Sequence, residues 1–230
     1  MKVRYDLHIH SGLSPCADKE MTPATIAGYA KMSGLDLIAI ADHNAIANVE
    51  VALRAGREYG IAVLPAMELQ TSEDVHILCL FEEYGALQAF YETLAFQEIE
   101  NRPEIFGEQL IFDEDDNVIG RESRLLLSSS LLSSQEAAAR VRAFGGEPVP
   151  AHIDREANGM VQILGAVTEE FRAVELSSRA SPELCGRYAK DYRILVDSDA
   201  HTLADVSLGS ALELEEPTPR ALLEYLRRPI

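Results

Sequence analysis

Six histidines occur in this chain, and each stands where it could ligate a metal. His8 and His10 lie in Asp6-Leu-His-Ile-His-Ser11, His43 in Ala41-Asp-His-Asn44 and His76 in Asp74-Val-His-Ile-Leu78. His152 lies in Pro150-Ala-His-Ile-Asp154 and His201 closes Asp197-Ser-Asp-Ala-His201. Every one sits in, or ends, a short apolar run that reads as a strand. Imidazoles and carboxylates gathered from many strand ends suit a multinuclear site of zinc, manganese or iron. His8 and His10 alternate, so both rings face one side of a strand, and Asp6 shares that face as a possible partner that orients a ligand. Glu68 follows the apolar run Ile61 to Leu64. A carboxylate buried there needs partners, and a bridging position between two cations would supply them. His76 and His152, taken singly, read more simply as satisfied core histidines. It is the joint occurrence that argues for metal.

These residues must be brought together by elements far apart in the chain. Strand-like runs alternate with amphipathic stretches, the pattern of βα units. Runs over 3–9, 36–42, 61–68, 75–81, 147–153, 172–177 and 192–196 read as strands. Thr22-Pro23, Ser181-Pro182 and Thr218-Pro219 read as helix starts, and Gly34 and Gly60 as helix stops. Further helices are expected over 47–59, 84–101 and 135–144. Residues 103–134 break the rhythm, with a short acidic-tipped hairpin over 109–120, and read as an insertion or lid over a barrel mouth. Arg121 and Arg124 could act from it. Motifs spread over the whole chain converge only if the strand ends ring one point, so a single TIM-like parallel barrel over residues 1–230 is expected.

Composition narrows the class. Hydrophobic residues make up 47% and charged residues 25%, ordinary for a globular core. Three cysteines, Cys16, Cys79 and Cys185, are too few for a disulfide framework. Cys79 and Cys185 read as structural, and the serines at 128–130, 133 and 134 as loop and cap residues. No leader or membrane span is legible, so a cytoplasmic protein is expected. With 38 acidic and 20 basic residues the net charge is −18. That excess argues against gripping long nucleic acid, as does the lack of a basic stripe and of tryptophan. Oligomeric state is not legible from one chain.

The motif blocks Asp-Leu-His-Ile-His-Ser, Ala-Asp-His-Asn, Ala-His and Ser-Asp-Ala-His resemble, in order, those of the polymerase and histidinol phosphatase superfamily. The resemblance covers nearly the whole chain. It implies a distorted (β/α)7 barrel that hydrolyses phosphate esters with two or three zinc, manganese or iron ions. It also implies that His8, His10, Glu68 and Asp199 hold one metal and that Glu68 bridges to another held by His76 and His152. His43 and His201 then hold a third with a residue from the loop after His10. There the family usually has His or Asp, whereas this chain offers Cys16, a good zinc ligand, or Asp18, which favours a harder metal. Glu68, Asp199 and His201 are the candidate catalytic group, and Arg155 and Arg179 the candidate phosphate clamp. The expected substrate is a small phosphorylated metabolite, a phosphomonoester first. The alternatives are a nucleotide or oligonucleotide phosphodiesterase, or a metal-binding regulatory barrel without catalysis.

Overall fold

The computed structural model describes residues 1–206 and 210–230. Its first apolar run forms strand β1 (Lys2–Ile9), and Thr22-Pro23 opens helix α1 (Pro23–Met32). Strand β2 (Leu37–Ile40), helix α2 (Val49–Tyr59) and strand β3 (Ala62–Gln70) follow, with Gly60 ending α2 at a left-handed φ of 68°. Next come β4 (His76–Leu80), α3 (Tyr84–Tyr91), α4 (Pro103–Phe106), and the hairpin of β5 (Leu110–Phe112) and β6 (Val118–Arg121). The rest of the chain contributes α5 (Ser134–Ala143), β7 (Glu147–Pro150), α6 (Met160–Leu164), β8 (Ala173–Ser177) and α7 (Pro182–Tyr188). It ends with β9 (Arg193–Asp197), a 3-10 turn at Leu203–Asp205, β10 (Ser210–Glu213) and α8 (Pro219–Arg227).

Seven strands curl into a distorted TIM-like barrel. One sheet runs β10-β1-β2-β3-β4-β7, and β8 pairs with β9. The ring closes through single contacts. Ile153 N, just past β7, donates to Glu175 O at 3.0 Å, and Ile9 bridges Ala200 just past β9. Leu7, Ala39, Leu64, Leu78, Val149, Ala173 and Leu195, one from each of the seven strands, join one buried cluster. Leu222, Leu223 and Leu226 of α8 belong to the same cluster. Outside, α1 and α2 cover β2 and β3 with Ile26, Ala30, Ala52 and Ala55. Strands buried on both faces explain why the runs read as continuously apolar.

Two expectations are corrected here. The barrel is not wholly parallel: β4 runs antiparallel to both β3 and β7. Only residues 71–75 join β3 to β4, too few for the crossover of a dozen or more that parallel strands need. The helix expected over 84–101 stops at Tyr91. Thr93 turns its N–H and its hydroxyl onto Phe90 O, and the chain then extends so that Phe96 bridges Ser130 and Glu100 bridges Arg124. Pairing with the insertion overrides the local helical preference.

The insertion is a fixed brace. Leu110 N donates to Gly12 O at 2.7 Å, and Asn48 holds β5 from both sides by donating to Leu110 O and accepting from Phe112 N. At the hairpin tip, Asp116 accepts from Ala24 N, Thr25 N and Thr22 Oγ1, and so caps α1 in place of the Thr22 side chain. Among the described residues no helix is long and apolar enough to cross a membrane.

Candidate metal centre

Glu68, near the end of β3, is fully buried and lies at the centre of the histidines. Its carboxylate oxygens lie 3.2 Å from His8 Nε2, 2.7 Å from His43 Nδ1, 2.8 Å from His76 Nδ1 and 3.1 Å from His152 Nε2. His10 Nε2 lies 3.6 Å from the same carboxylate and 2.9 Å from Asp199 Oδ1. His8 Nε2 is 3.3 Å from Asp199 Oδ1, so the two alternate imidazoles of β1 share that oxygen. His201 Nδ1 is 3.8 Å from it. Three groups, His8-His10-Glu68, His43-Glu68-His76 and His10-His43-His201, each bring their ligand atoms within 4.8 Å of one another.

The separations around Glu68 are short, yet His8 Nε2, His43 Nδ1, His76 Nδ1 and Glu68 Oε2 make no aligned hydrogen bond among the described residues. Buried polar atoms gathered this closely without hydrogen bonds need another partner between them. A cation at such a position satisfies several at once, and N and O donors of this kind suit zinc, manganese or iron. The residues fit a divalent metal cluster.

The ring orientations are set from outside the cluster. His201 Nδ1 donates to the backbone oxygen of Asp199 at 2.8 Å, which leaves its Nε2 lone pair free to ligate. His8 Nδ1 lies 2.9 Å from Glu175 Oε2, and His10 Nδ1 lies 3.0 Å from Ser14 Oγ. The Ser14 hydroxyl in turn donates to Asp42, which also accepts from Ser11 N and Ser11 Oγ. The orienting carboxylate of His8 is thus Glu175, and not Asp6, which instead accepts from Ser198 N and Ser198 Oγ in the loop that carries Asp199. Sequence reasoning passed over Glu175, Asp42 and Ser14. Alternation along β8, with Glu175 inside an apolar run like Glu68, was the available signal for the first.

Charge follows from this crowding. Burial alone would push the Glu68 carboxyl up, but the neighbouring His76, His8 and His43 hold it well below the usual range. Burial would lower His43, yet Glu68 beside it raises it to about 10. His8 is likewise raised despite burial, by Glu175, Glu68 and Asp199. Burial and the charge of His43 lower His10 to about 3. Without metal, protons on His8 and His43 supply the positive charge that the carboxylates demand.

Cys16 and Asp18 part company. Cys16 is exposed as a residue, but it lines the same cleft as His201 and His43. Burial would raise its thiol, but the influence of those two imidazoles overcomes this and lowers it to about 7. Asp18 is exposed, and its carboxylate caps Glu20 N at 3.0 Å. Cys79 is buried in β4, and Cys185 is half-buried on α7.

Two clefts open onto the cluster. One of about 370 Å³ includes His43, Glu68, His76 and Leu127 of the insertion; the other, of about 680 Å³, includes Ser178 and Arg179. Arg155, Ala157, Asp199 and His201 line both. Arg155 pairs with Asp199 Oδ2. Arg121 and Arg124 line neither: Arg121 pairs with Glu108 at the surface, while Arg124 stacks on Phe96 and donates to Asn44 O.

No protein-family model matches the chain. Over 83 residues it is 32% identical to a 5′-3′ exoribonuclease of Haemophilus influenzae, a match spanning 35% of this chain and 29% of the relative. The lesion-specific endonuclease PfuEndoQ of Pyrococcus furiosus superposes with a TM-score of 0.71 and 20% identity, over 99% of this chain and 56% of that one. Endonuclease Q in complex with a 27-mer duplex bearing an abasic lesion at its active site gives 0.70 and 20% identity, over 99% and 57%. A Bifidobacterium adolescentis protein assigned as a metal-dependent phosphoesterase gives 0.63 at 20% identity, over 98% and 96%. This chain therefore spans just over half the length of the endonuclease chains.

The Endonuclease Q complex overturns the expectation of a small phosphorylated partner and no long nucleic acid, because a protein with this barrel is seen on duplex DNA. Net charge summed over the whole chain does not decide the question, because the local field at a cleft mouth governs what docks there. The chain shares its fold with Endonuclease Q and with the Bifidobacterium adolescentis protein, in keeping with the distorted TIM-like barrel expected from its motifs.

Proposed function

We propose that this chain is a metal-dependent hydrolase that cleaves a phosphodiester bond of a nucleic acid. The observation that carries the reading is the buried Glu68 carboxylate ringed by imidazoles, of which His8 Nε2, His43 Nδ1 and His76 Nδ1 lack hydrogen-bond partners among the described residues. His8, His10, Glu68 and Asp199 would hold one cation, Glu68 with His76 and His152 a second, and Cys16, His43 and His201 a third. Zinc, manganese and iron all suit these donors, and sulfur from Cys16 favours zinc at the third position. Bound cations would supply Lewis acidity toward a water and the phosphoryl oxygens.

The residues of the chain do the rest. Glu175, Ser14 and the Asp199 carbonyl keep the rings of His8, His10 and His201 turned to the cluster. Glu68, Asp199 and His201 surround the point where water and phosphate meet. Arg155, on the wall common to both clefts, would bind a phosphoryl oxygen while the water oxygen attacks phosphorus and the bond to the departing sugar oxygen breaks. The exoribonuclease and endonuclease relatives favour nucleic acid over a metabolite.

The test is cleavage of labelled single-stranded RNA, single-stranded DNA and duplex DNA with an abasic site by manganese- and zinc-loaded protein, beside a phosphomonoester panel. His10→Ala controls for contaminants. Oligonucleotide cleavage that vanishes in the variant is the expected result. Phosphate release from monoesters alone would overturn the nucleic-acid reading, and no hydrolysis at all would overturn the enzyme.

A further inference from the structure

The two clefts and their shared wall say more about the substrate. The phosphorus under attack must lie at the cluster, and the residues nearest to it that line both clefts are Arg155, Asp199 and His201. A monoester needs room on one side of that phosphorus only. Here there is room on both, and the larger cleft, at about 680 Å³, lies within the range of pockets that hold a whole small ligand.

The polar groups of the larger cleft are unevenly engaged. Asp154 accepts from Ser177 N and Ser177 Oγ at 2.8 and 2.7 Å. Asp205 accepts from Thr202 N and Thr202 Oγ1, and Arg155 pairs with Asp199. The guanidinium of Arg179 has no hydrogen bond or ion pair among the described residues, and only its backbone N–H is bonded, to Ser177 Oγ. Arg179 follows the carboxyl end of β8, the barrel end where the cluster lies, and Ala180 N closes a turn onto Ser177 O that fixes its backbone. Arg179 is exposed, and an unpaired guanidinium in a concave wall beside the candidate metal centre matches a second phosphate, since its planar fork binds phosphate oxygens in pairs.

We propose that Arg179 seats a phosphate next to the one being cleaved, so that the preferred substrate is a phosphodiester flanked by a further phosphate group. This rests on the reading of the chain as a phosphodiesterase. Ser178, which lines the same cleft, offers a hydroxyl to that phosphate.

The experiment compares three thymidine dimers on the metal-loaded protein: one with the single internal diester, one with an added 5′-phosphate and one with an added 3′-phosphate. Wild-type protein should cleave one of the phosphate-bearing dimers with kcat/KM about tenfold or more above the plain dimer, mainly through KM. In Arg179→Ala that ratio should collapse to near one, and Arg179→Lys should restore part of it. A wild-type protein indifferent to the added phosphates, or a ratio unchanged in Arg179→Ala, would overturn the proposal. If no dimer is cleaved the phosphodiesterase reading fails, and equilibrium binding of the same three dimers then decides the subsite. An Arg179-dependent preference in affinity keeps it, and equal affinities overturn it.

Discussion

Glu68 shows at the scale of one residue why the centre calls for metal. A carboxylate fully removed from water is costly unless cations surround it, and here the imidazoles provide that charge only by holding protons. Since His8 and His43 are both raised above 6.5, His43 to about 10, metal binding at neutral pH must displace protons. Adding zinc to weakly buffered metal-free protein at pH 7 should therefore release protons, and apparent affinity should climb as pH rises toward 10. A pH-indicator titration that records no release would contradict this. Glu175 acts one step out. Glu175→Gln removes the charge behind His8 and should weaken metal binding about 10- to 100-fold, measured by competition with a chelator. Cys16→Ser should abolish the sulfur-to-metal charge-transfer absorption of the cobalt-loaded protein, and a band that survives would exclude the thiolate.

Asn44 joins elements that the chain keeps far apart. It follows His43 in a left-handed conformation with φ 48°, which asparagine tolerates better than most residues. Its side chain donates to Leu126 O and Ser128 O of the insertion and accepts from Gln70 N at the end of β3. Its own N–H reaches Glu68 O at 2.8 Å. Insertion, β3 and the His43 loop are thus tied at one buried residue. Asn44→Ala leaves several buried partners unsatisfied and should cost about 3 kcal/mol by denaturant unfolding. A loss below about 1 kcal/mol would show that the insertion is held mainly by the Leu13, Ala45 and Leu126 contacts. The insertion was legible as a break in the βα rhythm, but its role as a brace was not. Nothing near Asn44 in the sequence marks Leu126 as its partner.

For the whole molecule, a charge of −18 and a cluster of buried carboxylates mean that cations bound at the cluster would add to the stability of the folded state. Stripping metal with a chelator should lower stability by about 2.7 kcal/mol relative to metal at a hundredfold excess over its Kd. For a chain of this size that is about 5–10 °C in Tm, and an unchanged melting curve would count against a structural share for the metals. The amino-acid sequence by itself determined the histidine and carboxylate inventory, the strand and helix alternation and most of the caps. Each of these rests on side-chain chemistry or on periodicity within a few residues. Only the tertiary structure decided that β4 runs against its neighbours, because strand direction follows from pairing and connection length. Only it brought Glu175 to His8 across 167 residues, Ser14 to Asp42, and the thiol of Cys16 between His43 and His201 while Asp18 turned away to cap Glu20. It also opened room on both sides of Arg155. Those are matters of distance in space, which a linear chain does not carry until its core has closed.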